Sequence, residues 1–82
     1  MFQKMIHCDA YRQMLTDLRR LRAEKHLRQA DVGARMGLSA DWVGKIECGE
    51  LRLDILHLVR LCRIYGVSAD VLVRRFAEGL PE

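Results

Sequence analysis

The sequence predicts an all-α bundle of five short helices, and three observations carry the prediction. Apolar residues recur at three- and four-residue spacing through most of the 82-residue chain, the pattern of helices that each bury one face. Half of the residues are hydrophobic, 30% are charged and one is proline, which is the composition of a globular chain rather than a disordered one. Gly37-Leu38-Ser39 and Gly66-Val67-Ser68 punctuate the periodic runs: glycine can end a helix in the left-handed conformation, and serine can cap the next one with its hydroxyl. The length suits one small domain, residues 1–82, built on a single core and with no room for a separate ligand-sensing module.

Residues 1–7 lean apolar without a clear period, and an arm, a strand and the start of helix 1 all remain open for them. Helix 1 is expected from Asp9 to about Lys25, with Tyr11, Met14, Leu15, Leu18 and Leu21 on one face and an acidic residue at its N-terminal end. His26-Leu27-Arg28 connects it to helix 2, about Gln29 to Met36, where Val32 and Met36 share a face. Helix 3, about Ala40 to Cys48, pairs Val43 with Ile46. Gly33 and Gly44 lie inside these two runs and each costs about 1 kcal/mol of helix propensity against alanine. Close contact between the two helix backbones would offset that cost.

Asp54 can cap helix 4, whose run of Ile55, Leu56, Leu58, Val59, Leu61, Cys62 and Tyr65 reads as too hydrophobic for a surface helix. Gly66 closes it, Ser68 caps helix 5 (68–78), and Gly79 and Pro81 end the pattern. Val71, Leu72, Val73, Phe76 and Leu80 are more apolar surface than one short terminal helix can bury within a monomer. A second copy of the chain is the expected cover, with Val73, Phe76 and Leu80 at the interface and Leu72 retained by the monomer core.

Several function classes are disfavoured. No run reaches the length of a membrane span and no signal pattern opens the chain, so a cytoplasmic location with no membrane partner is expected. Cys8, Cys48 and Cys62 form no C-x-x-C pair, and neither His7 beside Cys8 nor His57 before Cys62 has zinc-ligand spacing. Free thiols and no metal or other cofactor follow. No nucleophile–base–acid set or phosphate loop points to an enzyme. The net charge of +3 and pI near 9.0 favour an anionic partner. Between positions 19 and 35 the bases Arg19, Arg20, Arg22, Lys25, Arg28 and Arg35 face only the acids Glu24 and Asp31.

The stretch QADVGARMGLSADWVGKIECG, from Gln29 to Gly49, resembles the Cro/C1-type (lambda-repressor-like, XRE) helix-turn-helix family. Gln29, Val32, Gly37, Leu38, Ser39, Val43, Ile46, Glu47 and Gly49 fall in register with its pattern, and the resemblance runs from about Leu18 to Leu72. Arg28 departs from the Ser or Thr that often caps helix 2, Gly33 from the usual Ala, and Ala40 from a residue that is often polar. The resemblance implies a lambda-repressor-like bundle with its helix-turn-helix at helices 2 and 3, and double-stranded DNA as partner. It also implies an enclosed structural ion pair of Arg22 with Glu47 across helices 1 and 3.

With Val43 and Ile46 inward, 100° steps put Asp41, Trp42 and Lys45 on the outer side of helix 3, where the major groove would meet them. Lys45 can donate to guanine O6 or N7. Asp41 can accept from cytosine N4, or can simply favour the helix dipole. Ala40 can offer its methyl to a thymine methyl. Trp42 is either a core aromatic leaning toward helix 4 or a contact to a thymine methyl or the sugar-phosphate wall. Gln29 opens helix 2, whose free N–H groups attract an anion, and the family uses this glutamine on phosphate; Arg28, Arg52 and Ser39 complete the candidate phosphate contacts. The expected function is a sequence-specific transcriptional regulator, of the small repressor or restriction-modification-controller kind, acting as a homodimer on a pseudo-palindromic operator. The alternative is an antitoxin or other protein-interaction module on the same fold, with a toxin or other protein as partner.

Overall fold

Among the described residues, five helices form where the periodicity places them: α1 Asp9–Glu24, α2 Gln29–Met36, α3 Ala40–Glu47, α4 Ile55–Tyr65 and α5 Ala69–Gly79. This computed structural model describes residues 8–81, so the open assignment of residues 1–7 lies outside the described residues. Tyr11, Met14, Leu15 and Leu18 recur on one side of α1 and all four are buried. They meet Val32 and Met36 of α2, Val43 and Ile46 of α3, Leu58, Leu61, Cys62 and Tyr65 of α4, and Leu72 of α5 in one core. Leu18 and Val32 are at most 1% exposed; truncating such a side chain to alanine leaves a cavity worth about 2 to 5 kcal/mol.

The helix ends are set by local chemistry. Gly37, at φ 72°, closes α2 in the left-handed conformation, and the Leu38 N–H donates back to the Gly33 carbonyl at 2.8 Å. Ser39 then caps α3, its hydroxyl accepting the Trp42 N–H at 3.1 Å. Asp54 caps α4 by accepting the His57 N–H at 2.8 Å, and Gly66 closes that helix at φ 70°. Arg28, an unpromising cap by residue type, is served instead by Asp31, whose carboxylate accepts the Arg28 backbone N–H at 2.8 Å.

Three details differ from expectation. Ser68 occupies the cap position of α5, but its hydroxyl donates to the Asp70 carboxylate and accepts no backbone N–H, the charge-assisted bond setting the direction of the side chain. Ile55 and Leu56 are 71% and 63% exposed, so the first turn of α4 is a surface despite its composition. That turn precedes Leu58, the first residue of α4 to reach the core. The α1–α2 connection turns through His26 at φ 57°, a conformation more often given to glycine.

α2 and α3 pack closely on each other, while α1 crosses α3, α4 and α5 and holds the bundle together. The buried carboxylate of Asp17 fastens α1 to α5: it accepts from Gln13 at 3.2 Å and lies 3.6 Å from Arg75 and 3.5 Å from Arg20. The Tyr11 hydroxyl accepts the Leu53 N–H at 3.2 Å and so ties the α3–α4 loop to α1. None of the described helices is long and apolar enough to cross a membrane.

Candidate nucleic-acid interface

The angle of α3 rests on Glu47, the last residue of that helix. Its carboxylate accepts from Arg22 Nε at 2.6 Å and Nη2 at 3.0 Å, a two-pronged pair between side chains only 15% and 7% exposed. Arg22 spends its remaining nitrogen, Nη1, on the Leu27 carbonyl at 2.9 Å, and Gln29 Nε2 donates to Glu47 Oε1 at 3.0 Å. One carboxylate therefore ties together α1, the α1–α2 connection, α2 and α3. The hydrogen bond it donates to Glu47 holds the Arg22 guanidinium charged, above its ordinary range, against the desolvation that burial imposes. Charge-assisted, forked bonds of this kind are directional as well as strong.

Gly33 lets the two helices meet. A methyl built on it would sit 2.5 Å from the Ser39 carbonyl carbon and 2.9 Å from the Ala40 nitrogen, so the start of α3 lies against the backbone of α2. Gly44 is different: a methyl there would reach only the end of the Gln29 side chain, at 3.4 Å. The close backbone contact anticipated for both glycines exists at Gly33 alone.

With its inner face fixed, α3 turns Ala40, Asp41 and part of Lys45 outward. Lys45 Nζ lies 3.2 Å from Asp41 Oδ2; the Asp41 side chain is largely exposed and that of Lys45 partly so. Its hydrogen bond to Asp41, then the nearby negative charges of Asp41 and Glu50, hold Lys45 charged above the usual lysine range. Two of the four candidate base readers thus form one unit of paired charge on the outer side of α3. Trp42 is half-buried against the core, and its ring leans toward α4, where it meets His57 at 4.9 Å between centroids.

The candidate phosphate contacts are spread around this helix. Gln29 begins α2 with its carboxamide committed to Glu47, which leaves the helix N-terminal N–H groups as the part of this position open to an anion. Arg28 is well exposed and bonds Asp31 at 3.0 Å; through this contact Arg28 is held above its ordinary range and Asp31 below its own. The Ser39 hydroxyl oxygen accepts the cap bond of α3, which leaves its O–H to donate. Arg52 is exposed in the α3–α4 loop and lines an apolar groove of about 310 Å³ shared with Leu53, Ile55, Val73, Phe76 and Leu80.

Half of the basic cluster read from positions 19 to 35 is paired, while Arg19, Lys25 and Arg35 are exposed. Arg20 pairs with Glu24 at 3.0 Å, Arg22 with Glu47 and Arg28 with Asp31. Among the described residues no group of His, Cys, Asp and Glu could hold a metal ion. Sequence reasoning missed two features here: the Gln29–Glu47 bond, and the Asp41–Lys45 pair, which the four-residue spacing could have revealed.

A short helix pair locked at a glycine–serine turn, with the second helix braced from behind and open in front, is a helix-turn-helix DNA-binding domain. The chain belongs to that family: the family model described as a helix-turn-helix domain matches residues 13–76. Among solved structures it is similar to an XRE-family like protein from Pseudomonas syringae pv. tomato str. DC3000, with 29% identity over 96% of each chain and a TM-score of 0.82. The chain matches no curated protein.

Proposed function

We propose that this chain is a transcriptional regulator that binds a pseudo-palindromic operator as a homodimer, with α3 in the major groove. The observation that carries the reading is the bracing of α3 by the Arg22–Glu47–Gln29 network, which holds an exposed Asp41–Lys45 face at a fixed angle. Lys45 reads a guanine edge once the groove offers better acceptors than Asp41, Asp41 is then available to a cytosine amine, and Ala40 meets a thymine methyl. The exposed edge of Trp42 meets the groove wall. Phosphates are held by the N-terminal N–H groups of α2 at Gln29, by Ser39, and by Arg28 and Arg52 on either side.

Dimerisation is supported by the apolar groove between α1, the start of α4 and α5. Val73, Phe76 and Leu80 line it together with Ile55, and Val73 and Ile55 present bare apolar surface beside it. A two-fold pairing there would set the two copies of α3 about 34 Å apart, one turn of DNA. In this reading residues 1–82 work as one DNA-binding domain, with α5 as the dimerisation helix.

Selection of bound duplexes from a random pool tests the reading. The expected product is a two-fold related sequence with half-sites about 10 base pairs apart. No enrichment, or an isolated half-site, would refute it. Val73→Glu is the sharper probe of assembly, because Phe76 already packs in the monomer, edge-on to Tyr11 at 6.3 Å between centroids. Val73→Glu is expected to sediment as a folded monomer at concentrations where wild type is a dimer.

A further inference from the structure

Trp42 is the only tryptophan of the chain, and its position is fixed from outside its own helix. The indole meets the imidazole of His57, on α4, edge to face, with 4.9 Å between centroids and 72° between planes. His57 is itself held at two points by Asp54: Oδ1 accepts the His57 backbone N–H at 2.8 Å, and Oδ2 lies 3.3 Å from Nδ1. The carboxylate thus lies beside the Nδ1 edge of the ring as well as on the backbone N–H of the same residue. A line of contact therefore runs from the cap of α4, through an oriented imidazole, to the edge of the recognition helix.

Capping alone does not require this arrangement. One side-chain oxygen satisfies an N-cap, and an aliphatic residue at position 57 would fill the same space against Trp42. The second oxygen of Asp54 instead lies beside a ring that packs against the indole of Trp42. An unrestrained tryptophan would have to give up alternative rotamers on each binding event.

We propose that His57, oriented by Asp54, is a specificity-determining positioning residue, which fixes the indole of Trp42 and with it the base step that this side chain meets. The proposal rests on the operator-binding reading above. It assigns to α4, which makes no DNA contact in that reading, a share in sequence choice.

Three variants separate positioning from stability. His57→Ala removes the ring. Asp54→Ser keeps a capping oxygen but cannot also reach the imidazole. His57→Phe keeps an aromatic edge against Trp42 without the hold of Asp54. Two measurements are made on each: the emission maximum and anisotropy of Trp42 in the free protein, and base preference by selection from random duplexes. His57→Ala and Asp54→Ser are expected to shift the emission to the red and lower the anisotropy. They should flatten preference at one position of each half-site by about two- to tenfold, with affinity for a scrambled duplex and its salt dependence unchanged. His57→Phe should restore most of the emission and part of the preference.

Unchanged emission in His57→Ala would show that the imidazole does not hold the indole. Altered emission with an unaltered base profile would show that holding it does not set specificity. Either result overturns the proposal while wild type still selects a site. A wild-type chain that selects no site overturns the operator reading and this proposal together.

Discussion

Gly33 and Gly44 sit in the middle of adjacent helices, yet replacing each by alanine should move stability in opposite directions. Either substitution gains about 1 kcal/mol of helix propensity. At Gly44 little opposes that gain, since the new methyl lies 3.4 Å from the Gln29 side-chain oxygen, an ordinary van der Waals distance. At Gly33 the methyl would stand 2.5 Å and 2.6 Å from the carbon and oxygen of the Ser39 carbonyl. These are backbone atoms of the residue that caps α3, and they cannot swing aside. The start of α3 must shift, at an overpacking cost of about 1 to 3 kcal/mol, and the Ser39–Trp42 cap, worth about another 1 kcal/mol, is strained with it. The net expectation is a loss of about 1 to 3 kcal/mol for Gly33→Ala and a gain of up to about 1 kcal/mol for Gly44→Ala. At about 4 to 8 °C per kcal/mol for a domain of this size, thermal melting without DNA resolves both. A Gly33→Ala melting temperature at or above wild type would refute the close-contact argument.

Three further outcomes follow from the same geometry. Glu47→Ala strands Arg22 and removes the acceptor for Gln29, so melting without DNA should report a loss of about 3 to 5 kcal/mol; an unchanged melting temperature would mean that the network contributes nothing to the fold. Tyr65 is pushed up to about 12, first by burial and then by the negative charge of Glu47. Because the folded state keeps this proton longer than the unfolded chain, the stabilisation is present below about pH 10 and is lost as pH rises toward 12, by about 2 to 3 kcal/mol. Denaturation of Tyr65→Phe across that window should show a shallower loss than wild type, and parallel curves would contradict this. Lys45→Ala should cost about 1 to 3 kcal/mol at one base pair of a matched operator and little on a scrambled duplex, as read by titration at several salt concentrations; equal losses on both would remove it as a base reader.

The elements of this fold were legible because their signals are local. Periodic apolar positions located α1 through α5, and Gly37, Ser39, Asp54 and Gly66 marked ends that depend on residues at most four positions away. What stayed hidden depends on where the chain goes next. Nothing about His26 distinguishes it from a residue of ordinary conformation until Leu27 must return to α1, where its N–H donates to the Arg22 carbonyl at 3.2 Å and its own carbonyl accepts from that side chain. Ile55 and Leu56 carry the same apolar character as Leu58 and Leu61, and only the direction in which α4 enters the core separates exposed from buried.

For the interface, legibility stopped at the choice among partners. Position could say that Gln29 opens a helix and is placed for a phosphate. It could not say that a carboxylate 18 residues later competes for the same carboxamide. Summed charge suggested a basic surface over positions 19 to 35, whereas Arg20, Arg22 and Arg28 each have an acidic partner within 3.0 Å. The two partners at the surface exchange readily with water and phosphate, since exposed pairs are worth at most about 1 kcal/mol. The Arg22–Glu47 pair does not, because separating it leaves two enclosed charges. Under the operator-binding proposal, affinity for an anionic partner comes from the exposed arginines and the start of α2, and Glu47 contributes by holding α3 against α1 and α2.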